Sequence, residues 1–182
     1  MKRVSLALLL AFCLLLTGCQ GKENEKRFFA FSDKLNRTDA LSFTAELRAE
    51  YADRTLSFTL GYEKGSEGET VSVVKPERIA GIRARRAAGK DTLEFEGLIL
   101  DPGPLDPYGL TPMSALPSLV EALCSGHLDS HWEESGSLVY RLILDDHVSA
   151  SVWFEPESMT PHYAELQSDD TVRVFCTIDD WR

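Results

Sequence analysis

Four histidines and three adjacent aspartate pairs are the side chains here with the readiest chemistry. His127 and His131 stand four apart, a spacing that on a helix would turn both imidazoles to one side, as ligands of a shared metal ion must be. Gly126 stops the preceding helical pattern just before them and no complete ligand set follows. They read as surface histidines, like His147 and His162, and no metal or other cofactor is expected. Asp145-Asp146, Asp169-Asp170 and Asp179-Asp180 fall where turns or chain ends are expected. Turn formation and solvation explain them better than paired acid–base work. The sequence holds no glycine-rich phosphate loop, no nucleophile elbow and no HExxH. The expectation is therefore a protein that is not an enzyme. Arg78, Arg83, Arg85, Arg86 and Lys90 form a basic cluster, read as a solvated face. Trp132, Trp153 and Trp181 are read as rim or core residues rather than ligand stackers.

Cysteine chemistry is more informative. Of four cysteines, Cys13 and Cys19 lie near the N-terminus, and Cys124 and Cys176 lie some fifty residues apart in the body. The latter two can close a disulfide outside the cytoplasm or remain buried thiols that pack as small hydrophobes, the reading preferred here. At the N-terminus Lys2 and Arg3 precede Val4 to Leu16, apolar throughout except Ser5. At about 1.5 Å per residue these thirteen residues span about 20 Å as a helix, short of a hydrocarbon core of about 30 Å. A positive start, a short apolar run and small residues after it describe a secretory signal. Leu16-Thr17-Gly18-Cys19 resembles the lipobox of bacterial lipoproteins. That resemblance implies cleavage before Cys19 and a diacylglyceryl thioether on its sulfur. Residues 1–18 are then a lipoprotein signal, residues 19–26 a polar tether and residues 27–182 one domain.

Charge agrees with an anchored, exported protein. The whole chain carries −10, and without Lys2 and Arg3 the mature chain carries −12. So acidic a body is repelled by phosphate backbones, which argues against nucleic-acid partners, and it does not cling to an anionic leaflet. Membrane affinity must come from the lipid on Cys19, where two acyl chains hold firmly and one is marginal. The expected location is the extracytoplasmic face of a membrane. In a two-membrane cell Gln20, by the same resemblance, points to the outer one.

Hydrophobic periodicity describes what the anchor holds. Phe28, Phe31 and Leu35 recur at helical spacing between residues 25 and 37. Period two follows. Phe43, Ala45, Leu47, Ala49 and Tyr51 alternate with polar residues, as do Leu56, Phe58, Leu60 and Tyr62. Further strands are expected over 70–74, 79–85, 92–95, 137–144, 148–154, 162–167 and 172–178. Four prolines interrupt residues 101–112, and Leu116, Leu119, Val120 and Leu123 then mark one face of a central helix. Pro117 is expected in its first turn and Gly126 as its left-handed cap.

Short strands with tight connections predict an antiparallel meander. With one face strongly apolar, the sheet must curl and take the helices as plugs. The fold class is mainly β (α+β), a curved half-barrel with an N-terminal helix and a central helix as lid or plug. The lipobox, the two helices, the meander, Phe95-Glu96-Gly97 and the Trp153-Phe154-Glu155-Pro156 to Pro161 segment together resemble the lipoprotein-carrier (LolA/LolB-like) half-barrel. The resemblance implies a membrane-anchored lipoprotein that binds a lipid or other apolar ligand in the concave face of its sheet. Leu47, Leu56, Phe58, Leu60, Leu142 and Val152 are the expected lining. A related architecture in spore-germination lipoproteins implies the alternative, a non-enzymatic interaction or chaperone-like partner of a cell-envelope protein.

Overall fold

The computed structural model describes residues 18–102, 110–169 and 172–182. Helix α1 (Gly18–Asn36) leads into β1 (Leu41–Glu50), β2 (Thr55–Gly65), β3 (Gly68–Lys75), a 3₁₀ turn (Glu77–Ile79), β4 (Arg83–Ala87), β5 (Lys90–Phe95) and β6 (Leu98–Leu100). Helix α2 (Pro112–Ser125) precedes β7 (His127–Glu134), β8 (Ser137–Ile143), β9 (Val148–Phe154), β10 (Pro161–Ser168) and β11 (Val172–Asp179). The strands form one sheet in the order β6-β5-β4-β3-β2-β1-β11-β10-β9-β8-β7, every neighbouring pair antiparallel. Two meanders therefore meet at the β1–β11 seam, and α2 is the crossover between them. The end strands β6 and β7 do not pair, so the sheet curves without closing.

Register puts the expected alternation to work. Leu47 pairs with Phe58 on one side and Cys176 on the other, and Leu142 pairs with Ala150. The inner rows run through Leu41, Phe43, Ala45, Leu47, Leu60, Tyr62, Tyr140, Val152 and Phe154, all buried. Helix α2 fills the concavity with Leu116, Leu119 and Leu123, each wholly buried. Its N-terminus is closed by a capping box, in which Thr111 Oγ1 accepts from Ser114 N–H and Ser114 Oγ accepts from Thr111 N–H. Its last turn is held by α1. Ser32 Oγ and Asn36 Nδ2 both donate to the Cys124 carbonyl, at 3.1 and 2.8 Å. The Tyr140 hydroxyl donates to the Asn24 carbonyl at 2.9 Å, and the Phe28 and Tyr140 rings lie 4.9 Å apart, so α1 is pinned to β8 as well.

Several local expectations are revised. The polar stretch 19–26 is the opening of α1 rather than a loose tether, because Glu, Lys and Gln are good helix formers and no proline intervenes. Residues 79–85 are not one strand, since a 3₁₀ turn occupies Glu77–Ile79 and pairing resumes at Arg83. Pro117 lies in the second turn of α2 rather than the first. Gly126 has φ −62° rather than a left-handed conformation. A Cβ there would stand 2.5 Å from the Ala122 carbonyl oxygen, so close approach is what demands glycine. Asp145 behaves as expected of a turn residue, its Oδ1 accepting from the His147 and Val148 amides at 2.7 and 2.8 Å.

Leu119→Ala should cost about 3 kcal/mol of unfolding free energy, as loss of a fully buried leucine generally does, measured by urea denaturation. His147 Nδ1 lies 2.8 Å from Asp169 Oδ1, and this hydrogen bond with the Asp169 charge holds the imidazole above its ordinary 6.5. An NMR titration should place its midpoint above 6.5, and Asp169→Asn should return it towards that value. Because the folded midpoint is raised, whatever stability this pair adds is present below pH 6.5 and lost as pH rises through that midpoint.

Candidate functional site

The six residues expected to line a cavity do face the concave side, and what they border differs from expectation. Leu60, Leu142 and Val152 have no surface that a water-sized sphere can reach, and Leu47 has 2 %. Together with Leu116, Leu119 and Leu123 of α2 they are packed core, because a three-leucine ridge on a helix fills a trough between curled strands as a ligand would. Leu56 and Phe58, near the start of β2, are half-buried.

Two of the openings at the margins of this packed centre have largely apolar walls. The first lies between α1, the β9–β10 connection and the residues after β11, and measures about 610 Å³. Its apolar lining includes Phe31, Leu35, Leu41, Met159 and Trp181. Trp181 stacks on Phe43 at 4.8 Å, and Phe31 meets Phe154 edge to face at 5.0 Å, so the aromatic floor is fixed from below. Arg27, Lys34 and Arg182 stand around it against one carboxylate, Glu157. Arg27 donates to the Pro156 carbonyl, and Arg182 Nε donates to Ser42 Oγ at 3.2 Å.

The second opening is the distal end of the concave face. Leu93 pairs with Leu100 and Phe95 with Leu98, in line with inward Ala84 and Val71. Among the described residues no helix covers this end: Leu98, Leu100 and Phe95 are 63, 51 and 38 % exposed. A polar bridge stands between it and the centre. The Tyr62 hydroxyl donates to Glu69 at 2.6 Å, and Arg86 reaches both Asp91 at 2.9 Å and Glu69 at 3.6 Å. Burial, with Glu69 beside it, holds the Tyr62 phenol far above its ordinary value, so it stays a hydrogen-bond donor.

The remaining expected residues are dispersed. Leu16 and Thr17 of the lipobox, like Cys13, lie outside the described residues, while Gly18 and Cys19 open α1. Cys124 and Cys176 are free thiols rather than a disulfide. Cys176 is in β11 with its thiol pushed up to about 12 by burial, and Cys124 ends α2, also raised by burial. His127 and His131 sit on strand β7, where His131 stacks on Tyr140, and among the described residues no three His, Cys, Asp or Glu side chains group as a metal site. The basic cluster divides: Arg86 turns inward to Glu69 and Asp91, and Arg85 pairs with Glu67 at 3.1 Å. Asp170 and residues 103–109 lie outside the described residues.

Comparison with solved structures defines the fold class. A domain described as an outer membrane lipoprotein-sorting protein, from Vibrio parahaemolyticus, superposes with a TM-score of 0.50 at 11 % identity, over 90 % of this chain and 92 % of that one. A DUF1329 family protein from Desulfovibrio piger gives 0.49 at 8 % identity, over 88 and 92 %. A LolA superfamily protein from Nitrosomonas europaea gives 0.43 at 10 % identity, over 84 and 91 %. The fold shared with the Vibrio protein is a half-barrel, a curved, unclosed antiparallel sheet with two α-helices among the described residues. No protein-family model and no curated protein matches the sequence.

Thiol labelling of the native protein near neutral pH should leave Cys176 unmodified and modify Cys124 slowly, while denaturant should expose both equally. Peptide mass mapping reads the outcome.

Proposed function

We propose that this protein is an extracytoplasmic lipoprotein, anchored through diacylglyceryl-Cys19, that binds an apolar ligand at the margin of its concave face and performs no catalysis. The observation that carries the reading is the groove of about 610 Å³ beside α1, whose aromatic and aliphatic floor stays open while the centre of the sheet is packed. Burial of an acyl chain there is driven by about 25 cal/mol per Å² of apolar surface withdrawn from water. Position supports it too. Arg27 is eight residues beyond Cys19 on one continuous helix, about 12 Å along its axis at 1.5 Å per residue, so an anchored molecule holds the groove mouth close to the bilayer.

A second reading has its own observation. The β5–β6 hairpin exposes Leu98, Ile99 and Leu100 at 63, 68 and 51 % on a sheet edge, a surface suited to contact with a cell-envelope protein. Delipidated protein should take up a fluorescent fatty-acid probe with saturable emission. Met159→Glu should weaken uptake at least tenfold, and Ile99→Lys should leave it unchanged. The second reading instead expects no uptake, and a stoichiometric envelope protein that co-purifies from membranes and is lost with Ile99→Lys.

A further inference from the structure

The outer face of the sheet carries a feature that neither opening of the concave side uses. Register places one position from each of eight strands in a single cross-strand row: Trp132, Val139, Trp153, Tyr163, Thr177, Glu46, Thr59 and Lys75. At about 4.8 Å per strand the seven steps span about 34 Å. One half is aromatic. Trp132 and Trp153 meet edge to face at 6.4 Å, and Trp153 and Tyr163 at 5.1 Å, with Val139 wholly buried between the two indoles. The rings are held from the side: both indole N–H groups donate to Glu134 Oε2, at 3.3 and 3.1 Å, and the Tyr163 hydroxyl donates to Glu165 at 3.0 Å. The other half is a cavity of about 590 Å³, bordered by Glu46, Arg48, Lys75, Glu77, Tyr163 and Phe175. Arg48 is already engaged, lying 4.4 Å above the Phe175 ring and pairing with Glu50.

We propose that this row binds a linear, uncharged, β-linked polysaccharide strand lying across the sheet. A sugar ring presents both chemistries that the row offers. Its axial C–H groups carry partial positive charge and stack on the electron-rich faces of indole and phenol rings. Its hydroxyls donate to carboxylates such as Glu46 and Glu134, and they accept from Thr59, Thr177 and Lys75. Other ligand classes fit less well. An acyl chain would cross Glu46, Thr59 and Lys75 and strand them without water. A polyanion would meet Glu46, Glu77, Glu134 and Glu165 on a chain of net charge −10. A globular partner needs a broad apolar centre, whereas on this face the polar side chains begin within one strand of Tyr163. Half-buried aromatics, positioned in advance by carboxylates, lose little side-chain freedom on binding, which favours a weakly interacting ligand that gains by length.

Full-length protein in detergent micelles, titrated with the β-1,4-linked N-acetylglucosamine hexamer and followed by tryptophan emission, tests this. Saturable binding should be at least tenfold tighter for the hexamer than for the dimer. Trp153→Ala should weaken it at least tenfold. Glu46→Gln and Lys75→Ala, at solvent-facing positions that leave the fold intact, should each weaken it about threefold or more. Met159→Glu, in the α1 groove, should leave it unchanged, so failure here is distinct from failure of fatty-acid uptake. No saturable response to the hexamer, equal affinity for dimer and hexamer, or unchanged affinity in both Glu46→Gln and Lys75→Ala would overturn the proposal. Binding of polygalacturonate as tight as that of the hexamer would overturn it too.

Discussion

Packing of α2 into the concave side of an unclosed sheet is the contact on which the rest depends. A sheet whose edges never meet leaves its inner face to water unless something covers it, and each fully buried leucine contributes about 2 kcal/mol relative to exposure. Helix α2, carrying the buried Leu116, Leu119 and Leu123, lies against β3, β8, β9 and β10, so one helix ties the two meanders together. Helix α1 then secures that plug through the paired hydrogen bonds to the Cys124 carbonyl. A packed centre leaves open space at the margins, beside α1 and beyond the Tyr62–Glu69–Arg86–Asp91 bridge.

Much of this was readable from periodicity. The alternations at Phe43–Tyr51, Leu56–Tyr62, Leu138–Leu144 and Val148–Phe154 gave both the strands and their inward sides, since side chains repeat every two residues on a strand. Two strands were not visible. β7, with sequence His-Leu-Asp-Ser-His-Trp-Glu-Glu, is an edge strand whose pattern is polar almost throughout, and its ladder shifts register between Leu128 and Ser130. β6 is three apolar residues with no alternation to detect. The central site was legible only in part. Alternation says which way Leu60 or Val152 points, but whether a side chain or a cavity meets it depends on a helix sixty residues away in one case and thirty in the other.

The cross-strand row shows the converse limit. Trp132, Trp153 and Tyr163 are spread over thirty residues, and no spacing rule joins them. Only the pairing of β7 with β8, β8 with β9 and β9 with β10 brings them into line. The inward leucines were recognisable because one face of the whole meander obeys one rule. The outer face obeys none, so an apolar side chain there is conspicuous only once register is known.

Charge gives the two faces a shared logic. On the proposed reading, a chain that begins at a lipidated Cys19 carries −12, the lipid would hold it against repulsion from an anionic surface, and the long helix carrying Cys19 would set what faces the bilayer. Arg27, Lys34 and Arg182 gather at the α1 groove, the first two on the same helix as Cys19. The carboxylates Glu46, Glu134 and Glu165 stand on the opposite side of the sheet, where the same charge that would repel a headgroup accepts hydroxyl donors. Were Cys19 lipidated as proposed, this distribution of charge would orient the molecule, with the cationic groove towards the lipid and the outer sheet face away.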